Sequence, residues 1–250
     1  MSQKAKQAID ESQVIAGYIT YIRLLGKLAK EKEIIASGMT QEISRARQVI
    51  ELALAGKKVC LISSGDPGIY GMAGVVLELL NSGQAGKFDL EIIPGITSAS
   101  SCASLLGAPL AQDFAMISLS DLLVSRKEIE KKLLFSLKAD FVIALYNPQS
   151  KTRTKPLEQA WKMIAKFRPA KTPVGIVKDA YRLGQEVIIK PLRQAARIKD
   201  IDMATTIIIG NSRTLIKNGY MITPRGYLNR DSDHFSSTQT KKNGRCPSKQ

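Results

Sequence analysis

The residues Ser63-Ser64-Gly65-Asp66-Pro67-Gly68-Ile69-Tyr70-Gly71 combine hydroxyls, glycines and one carboxylate directly after the apolar run Val59-Cys60-Leu61-Ile62. A largely apolar segment of helical length, 72–80, follows. This is the succession of a strand, a binding loop and a helix. In parallel α/β sheets such loops stand at the carboxyl ends of the strands, where ligands collect. A second loop of the same kind runs from Leu90-Glu91-Ile92-Ile93 into Pro94-Gly95-Ile96-Thr97-Ser98-Ala99-Ser100-Ser101. Two such loops can wall one pocket.

The chemistry open to these loops is narrowed by what the chain lacks. Its only histidine, His234, falls in a polar tail, which removes mechanisms built on an internal histidine base, a histidine metal ligand or a Ser/His/Asp triad. Neither GxGxxG nor GxxxxGK[ST] is present, so no dinucleotide fingerprint or P-loop is expected. Cys60, Cys102 and Cys246 are odd in number and lack CxxC spacing, indicating neither a disulfide framework nor a zinc site; Cys60 and Cys102 read as small core residues. No metal is expected. Asp66 is open to two readings, an Asx-type turn residue or a carboxylate pointed into a pocket. Thr97 and Ser98 can cap the next helix or offer donors to a ligand. Tyr146-Asn147-Pro148, followed by Ser150, Lys151, Thr152 and Arg153, reads as a polar exit loop after a buried strand. Lys178 and Arg182 are either solvated charges or binders of carboxylates.

The elements that position these residues alternate. Thr40 is placed to cap a helix over 41–55, with Ile43, Ala46, Ile50, Ala53 and Leu54 at helical spacing and Gly56 as the stop. Residues 58–62 form a buried strand, 90–93 another, and 97–106 a helix of small residues. This is a doubly wound α/β unit. The pattern breaks at Gly107-Ala108-Pro109-Leu110, which sets a boundary between domains 1–110 and 111–228. The second domain holds strands at 114–119, 141–146, 174–178, 186–189 and 205–209, with helices at 125–137 and 154–167. Residues 229–250, poor in apolar side chains, are expected to be a disordered basic tail.

The chain has 250 residues, 44% of them hydrophobic, enough to bury a core. No run reaches the roughly 18 apolar residues of a membrane span, and the polar start carries no signal core, so a cytoplasmic protein is expected. Net charge is +15, from 37 Lys and Arg against 22 Asp and Glu. The tail contributes +3, leaving +12 on the rest, so the excess is general and favours an anionic partner. Nucleic acid, an anionic surface and a polycarboxylate small molecule all satisfy it.

Together these motifs resemble the tetrapyrrole methyltransferase superfamily over residues 2–228. Within it they are most similar to the C17-methyltransferases of cobalamin biosynthesis that act on precorrin-3B or cobalt-factor III. The resemblance is carried by Ser37-Gly38-Met39-Thr40-Gln41-Glu42, by 63–73, by Pro94-Gly95-Ile96-Thr97-Ser98-Ala99 and by Tyr146-Asn147-Pro148. It continues in Asp202-Met203-Ala204-Thr205-Thr206, Ile209-Gly210-Asn211-Ser212 and Ile222-Thr223-Pro224-Arg225-Gly226-Tyr227. It implies two α/β domains with S-adenosylmethionine in the cleft between them, in a homodimer. By matching position, Ser64, Gly65, Asp66, Ile69, Thr97 and Ser98 line the cofactor pocket from the first domain. Tyr146, Ala180, Met203, Ala204 and Thr205 do so from the second. Ser63, Met72, Arg153, Lys178, Arg182 and Arg225 are the implied contacts to a carboxylate-bearing tetrapyrrole. Asp66 and Tyr70 are the candidates for acid–base work in the ring contraction that accompanies C17 methylation.

Relatives of this type begin with a strand running into a Gly-x-Gly-Pro-Gly loop ahead of a helix matching 4–11, and this chain starts at that helix. The first sheet is therefore expected to lack a strand, with unpaired buried backbone groups costing about 1–3 kcal/mol each. Restoring about 15 residues ahead of Met1 is expected to improve folding and activity, and equal stability and turnover would contradict this. Three other functions compete: methylation at another position of a precorrin or uroporphyrinogen, ribose methylation of ribosomal RNA, and non-catalytic nucleic-acid binding. Tyr146-Asn147-Pro148 argues against the uroporphyrinogen enzymes, and the Gly68-Ile69-Tyr70-Gly71-Met72 and Thr223-Pro224-Arg225-Gly226-Tyr227 segments argue against RNA. Neither membrane nor nucleic acid is the expected partner.

Overall fold

A computed structural model describes residues 1–80, 83–84 and 86–227. The tail expected over 229–250, with His234 and Cys246, lies outside the described residues. The chain divides into two compact units, Met1–Ser101 and the remainder from Cys102 on, a division earlier than the break expected after 110.

In the first unit, α1 (Gln3–Glu11), β1 (Val14–Tyr18), α2 (Ile19–Leu25), β2 (Glu33–Ser37), α3 (Glu42–Leu54), β3 (Val59–Ile62) and α4 (Met72–Leu79) follow in order. The strands are parallel in the order β2-β1-β3. Alternate residues of a strand face opposite sides. Ile15 of β1 and Cys60 and Ile62 of β3 therefore pack with Ile9 of α1 and Ile22 of α2. Leu61 packs on the other side with Ala46, Ile50, Met72 and Val76 of α3 and α4. Helices cover both faces, as parallel strands require. A further helix, α5 (Ser98–Leu106), carries the chain out of this unit into the next.

Four expectations need correction here. Residues 90–93 form no strand: the ladder ends at β3, no described strand lies alongside them, and Leu90 and Ile92 stay 45% and 47% exposed. For the same reason β3 is half-buried throughout rather than enclosed. Thr40 does not cap α3; Gln41 holds that position without a side-chain bond, while Thr40 sits at φ 66. The buried stripe of α3 is Arg45, Ala46, Val49 and Ile50, with Ile43 58% exposed. Strands β1 and β2 were not anticipated at all.

The second unit contains β4 (Gly107–Ala108), β5 (Phe114–Ser118), α6 (Arg126–Lys138), β6 (Val142–Tyr146), α7 (Lys155–Phe167), β7 (Pro173–Lys178) and β8 (Glu186–Pro191). It continues with α8 (Leu192–Ala195), β9 (Thr205–Ile209), β10 (Leu215–Lys217) and β11 (Tyr220–Ile222). Ser125 caps α6 by accepting from the Glu128 amide at 3.3 Å, and Thr154 precedes α7, whose Pro156 fits a first turn. The main sheet has the order β5-β6-β9-β7-β8, with β5 and β6 parallel and each later pair antiparallel. Its core joins Ile143, Leu145, Ile176, Ile207 and Ile209 to Leu133, Leu137, Leu157, Ile164 and Leu192 of the helices. The end of α5 lies on the sheet at Gly175, where an added Cβ would come within 2.3 Å of Leu106 Cδ1. A small second sheet orders β10-β11-β4 and buries Met221. No helix among the described residues is long and apolar enough to cross a membrane.

Candidate functional site

The first unit brings its two loops together through Asp66. The Asp66 carboxylate accepts from the Gly68 amide at 2.8 Å through Oδ1 and from the Gly95 amide at 2.9 Å through Oδ2. One bond closes the Asx turn within 63–71, and the other ties that loop to the loop after 93. At Gly95 the two backbones press together so closely that a Cβ would lie 1.8 Å from the Gly65 carbonyl oxygen. Gly65 itself adopts φ 73, a conformation costly for residues with a Cβ. The Ser63 hydroxyl accepts from the Met72 amide at 3.0 Å, holding the start of α4 to the end of β3. Thr97 and Ser98 follow directly, half-buried, at the head of α5. Tyr70 stands at the loop tip, 56% exposed, at φ 52, a strained conformation for a bulky side chain.

Behind these loops Arg45 is 4% exposed. It donates to Ser37 Oγ at 2.6 Å, the Gly38 carbonyl at 2.8 Å and Met72 Sδ at 3.7 Å. It thereby joins the carboxyl end of β2 to the start of α4. Arg45 was missed as a site-building residue, although its place in register with Ala46, Val49 and Ile50 on α3 puts it on the buried face. Met72, expected to touch substrate, is itself buried beneath this arginine.

In the second unit the register decides which residues meet. β5, β6 and β7 run one way and β9 the other, so Lys178 pairs with Thr205 and Leu145 with Ile207. The exits of β5, β6 and β7 therefore share an edge with the entry to β9. That edge gathers Tyr146, Arg153, Lys178, Ala180, Met203, Ala204 and Thr205 from distant parts of the sequence. The Asp179 amide donates to the Ala204 carbonyl at 3.2 Å, and Asp202 caps the turn into β9 by accepting from the Ala204 amide and the Thr205 hydroxyl. Asn147, Asp179 and Tyr181 all adopt left-handed backbone at this edge, with φ of 50, 48 and 59. Strain of this kind persists only where surrounding bonds over-determine it.

The cations of this edge are already engaged. Lys178 Nζ lies 3.0 Å from Asp200 Oδ1 and 3.4 Å from Asp202 Oδ2; the hydrogen bond it donates to Asp200, foremost, raises its pKa. Arg153 gives its guanidinium to two backbone carbonyls and a methionine sulfur. Burial lowers its pKa, against the pull of Asp121. Asp121 in turn is held below the usual carboxylate range by the bond from Arg126 at 3.0 Å. Arg182 closes the turn after β7, its amide donating to the Asp179 carbonyl at 2.9 Å. Arg225 is exposed, its guanidinium 5.8 Å from the Tyr227 ring centre. Cys102 is buried, and desolvation pushes its thiol up to about 11, partly offset by a bond with Thr206. No group of three His, Cys, Asp or Glu among the described residues could hold a metal ion.

The tetrapyrrole (corrin/porphyrin) methylases match this chain over residues 1–196. The cobalt-factor III methyltransferase of Priestia megaterium is 47% identical over 230 residues, covering 91% of this chain and 42% of the relative. The probable cobalt-factor III C(17)-methyltransferase of Salmonella typhimurium is 45% identical over 229 residues, covering 91% of this chain and 93% of the relative. The chain thus spans less than half of the first protein and nearly all of the second. The crystal structure of the methyltransferase CobJ is 29% identical, with a TM-score of 0.83 over 90% of this chain and 93% of its own.

Proposed function

The chain belongs to the tetrapyrrole (corrin/porphyrin) methylases, and from that premise we propose that it methylates C17 of precorrin-3B or cobalt-factor III in cobalamin biosynthesis. The reading is supported by relatives named for that reaction at 45–47% identity. The observation that carries it in the molecule is the pair of small-residue loops locked by Asp66, where Gly95 has no room for a Cβ.

S-adenosylmethionine, when bound, supplies a methyl carbon activated by positive sulfur. The first-unit residues fit such a donor: Ser64, Gly65, Thr97 and Ser98 offer hydroxyls and backbone groups without bulk, suited to an amino-acid and nucleoside ligand. Ile69 adds an apolar wall. Tyr146, Ala180 and the 203–205 segment are the candidates for donor binding within the second unit. Because Asp66 gives both oxygens to backbone amides, its role in this proposal is to fix the loops, and Tyr70 is the group left for proton transfer. Ser63, Lys178, Arg182 and Arg225 remain the candidates on the substrate side, whereas Met72, buried under Arg45, serves the packing of α4. The chain's main task is then alignment of a ring carbon with the methyl group, which can supply a large part of the rate.

The +15 charge steers a macrocycle fringed with acetates and propionates, and we place the working form as a cytoplasmic homodimer. Calorimetric titration of the full chain with S-adenosylhomocysteine checks the donor site. Binding at micromolar concentration is expected, and no heat at millimolar concentration contradicts it.

A further inference from the structure

We propose that Arg153 is a positioning residue, which holds the donor-binding edge of the second unit in shape by tying three of its loops together. The inference rests on the donor reading given above. Arg153 is fixed by its own backbone, in a turn where the Ser150 amide bonds its carbonyl at 3.1 Å and its amide bonds the Ser150 carbonyl at 3.3 Å. From there Nη1 donates to the Leu119 carbonyl at 2.7 Å, and Nη2 to the Asn147 carbonyl at 2.8 Å and Met203 Sδ at 3.4 Å.

Each acceptor belongs to a different segment: the exit of β5, the exit of β6 and the entry to β9. All three lie past the paired residues of the strands, where, of the strand-to-strand bonds between these exits, the Leu119 amide to the Tyr146 carbonyl at 2.9 Å reaches furthest. Asn147 is held from two sides, by Arg153 at its carbonyl and by its own Nδ2 donating to Ser118 Oγ at 2.9 Å. That double tether stabilises its left-handed backbone and sets Tyr146 before it. The third bond sets Met203 against the same guanidinium. Asp121, whose charge acts on Arg153, is paired with Arg126, and the fork of Arg153 goes to backbone and sulfur. A planar guanidinium can span two carbonyls at once; a lysine ammonium on a flexible stem cannot reproduce that fork.

The test titrates the full-length chain, Arg153→Lys and Arg153→Ala with S-adenosylhomocysteine, beside steady-state methylation of cobalt-factor III. Both variants are expected to bind the donor product about tenfold more weakly or worse, with a smaller change in the KM for the tetrapyrrole. Millimolar ethylguanidinium is expected to restore part of the donor affinity of Arg153→Ala. If Arg153→Ala fails to fold, Arg153→Lys decides, since a loss of affinity with the charge retained supports the fork and unchanged affinity overturns it. Unaltered donor binding with a raised tetrapyrrole KM that lysine restores also overturns it, assigning the charge to a substrate carboxylate. A wild-type chain that does not bind the compound overturns the donor reading and this inference together. A wild type that binds, with variants equal to it, overturns this inference alone.

Discussion

In the second unit β6 and β9 have a strand on each side and all their residues are buried, whereas among the described residues of the first unit only β1 is flanked and β3 is half-buried along its length. The two sheets use similar residues, Val-Cys-Leu-Ile in β3 and Val-Ile-Ala-Leu-Tyr in β6. Enclosure therefore depends on lateral neighbours more than on side-chain type. The stabilising core of the second unit is continuous across its sheet and three helices. Among the described residues of the first unit, small separate clusters of apolar contacts lie on the two faces of the sheet. Its binding loops compensate by being tied to each other, through Asp66 and the Gly65–Gly95 approach, instead of leaning on a broad sheet.

The largest effect is expected from truncating matched core residues. Ile207→Ala in β9, at 0% exposure, should cost about 2–5 kcal/mol. Leu61→Ala in half-buried β3 should cost less than half of that in urea denaturation followed by circular dichroism. Equal losses would show that the first sheet is as enclosed as the second, and the comparison would fail.

A smaller loss follows from Asp66→Ala, which leaves the Gly68 and Gly95 amides without their acceptor. About 1–3 kcal/mol of stability should go, together with donor affinity, while the pH dependence of the remaining turnover stays that of the wild type. A pH profile that loses a limb in Asp66→Asn would instead make this carboxylate an acid or base.

At neutral pH the smallest effect belongs to Cys102. Its folded pKa of about 11 stands above the value of 9.0 for an open thiol, so between those values the folded state holds a proton that the unfolded state has released. Stability from this group is complete below pH 9 and falls as pH rises from 9 toward 11. Cys102 should therefore resist iodoacetamide in the folded protein at pH 8, as read by mass spectrometry of peptides. Rapid alkylation there would place it outside the core.

The sequence made the 63–71 loop legible because its cues are local: Gly, Pro and Asp at the turn and an apolar run on each side. The second unit's strands were legible as runs such as Thr205-Thr206-Ile207-Ile208-Ile209, long enough to identify without neighbours. Residues 90–93 looked equally strand-like, but a strand exists only where another lies beside it, and that is not a local property. β1 was overlooked because Gly17 interrupts a five-residue run, and β2 because Glu33 and Ser37 leave only three apolar residues between them. The roles of Arg45 and Arg153 were illegible for a related reason. Their acceptors lie up to 50 residues away, and a charged residue near a turn gives no sign of which carbonyls it will reach.

The central claim is methyl transfer to a corrin precursor, and mass spectrometry of cobalt-factor III incubated with the full chain and S-adenosylmethionine tests it most directly. The predicted product carries one added methyl group, lodged at C17, with an equal amount of S-adenosylhomocysteine released. A tetrapyrrole recovered unchanged, from a chain that binds the donor, would contradict the account.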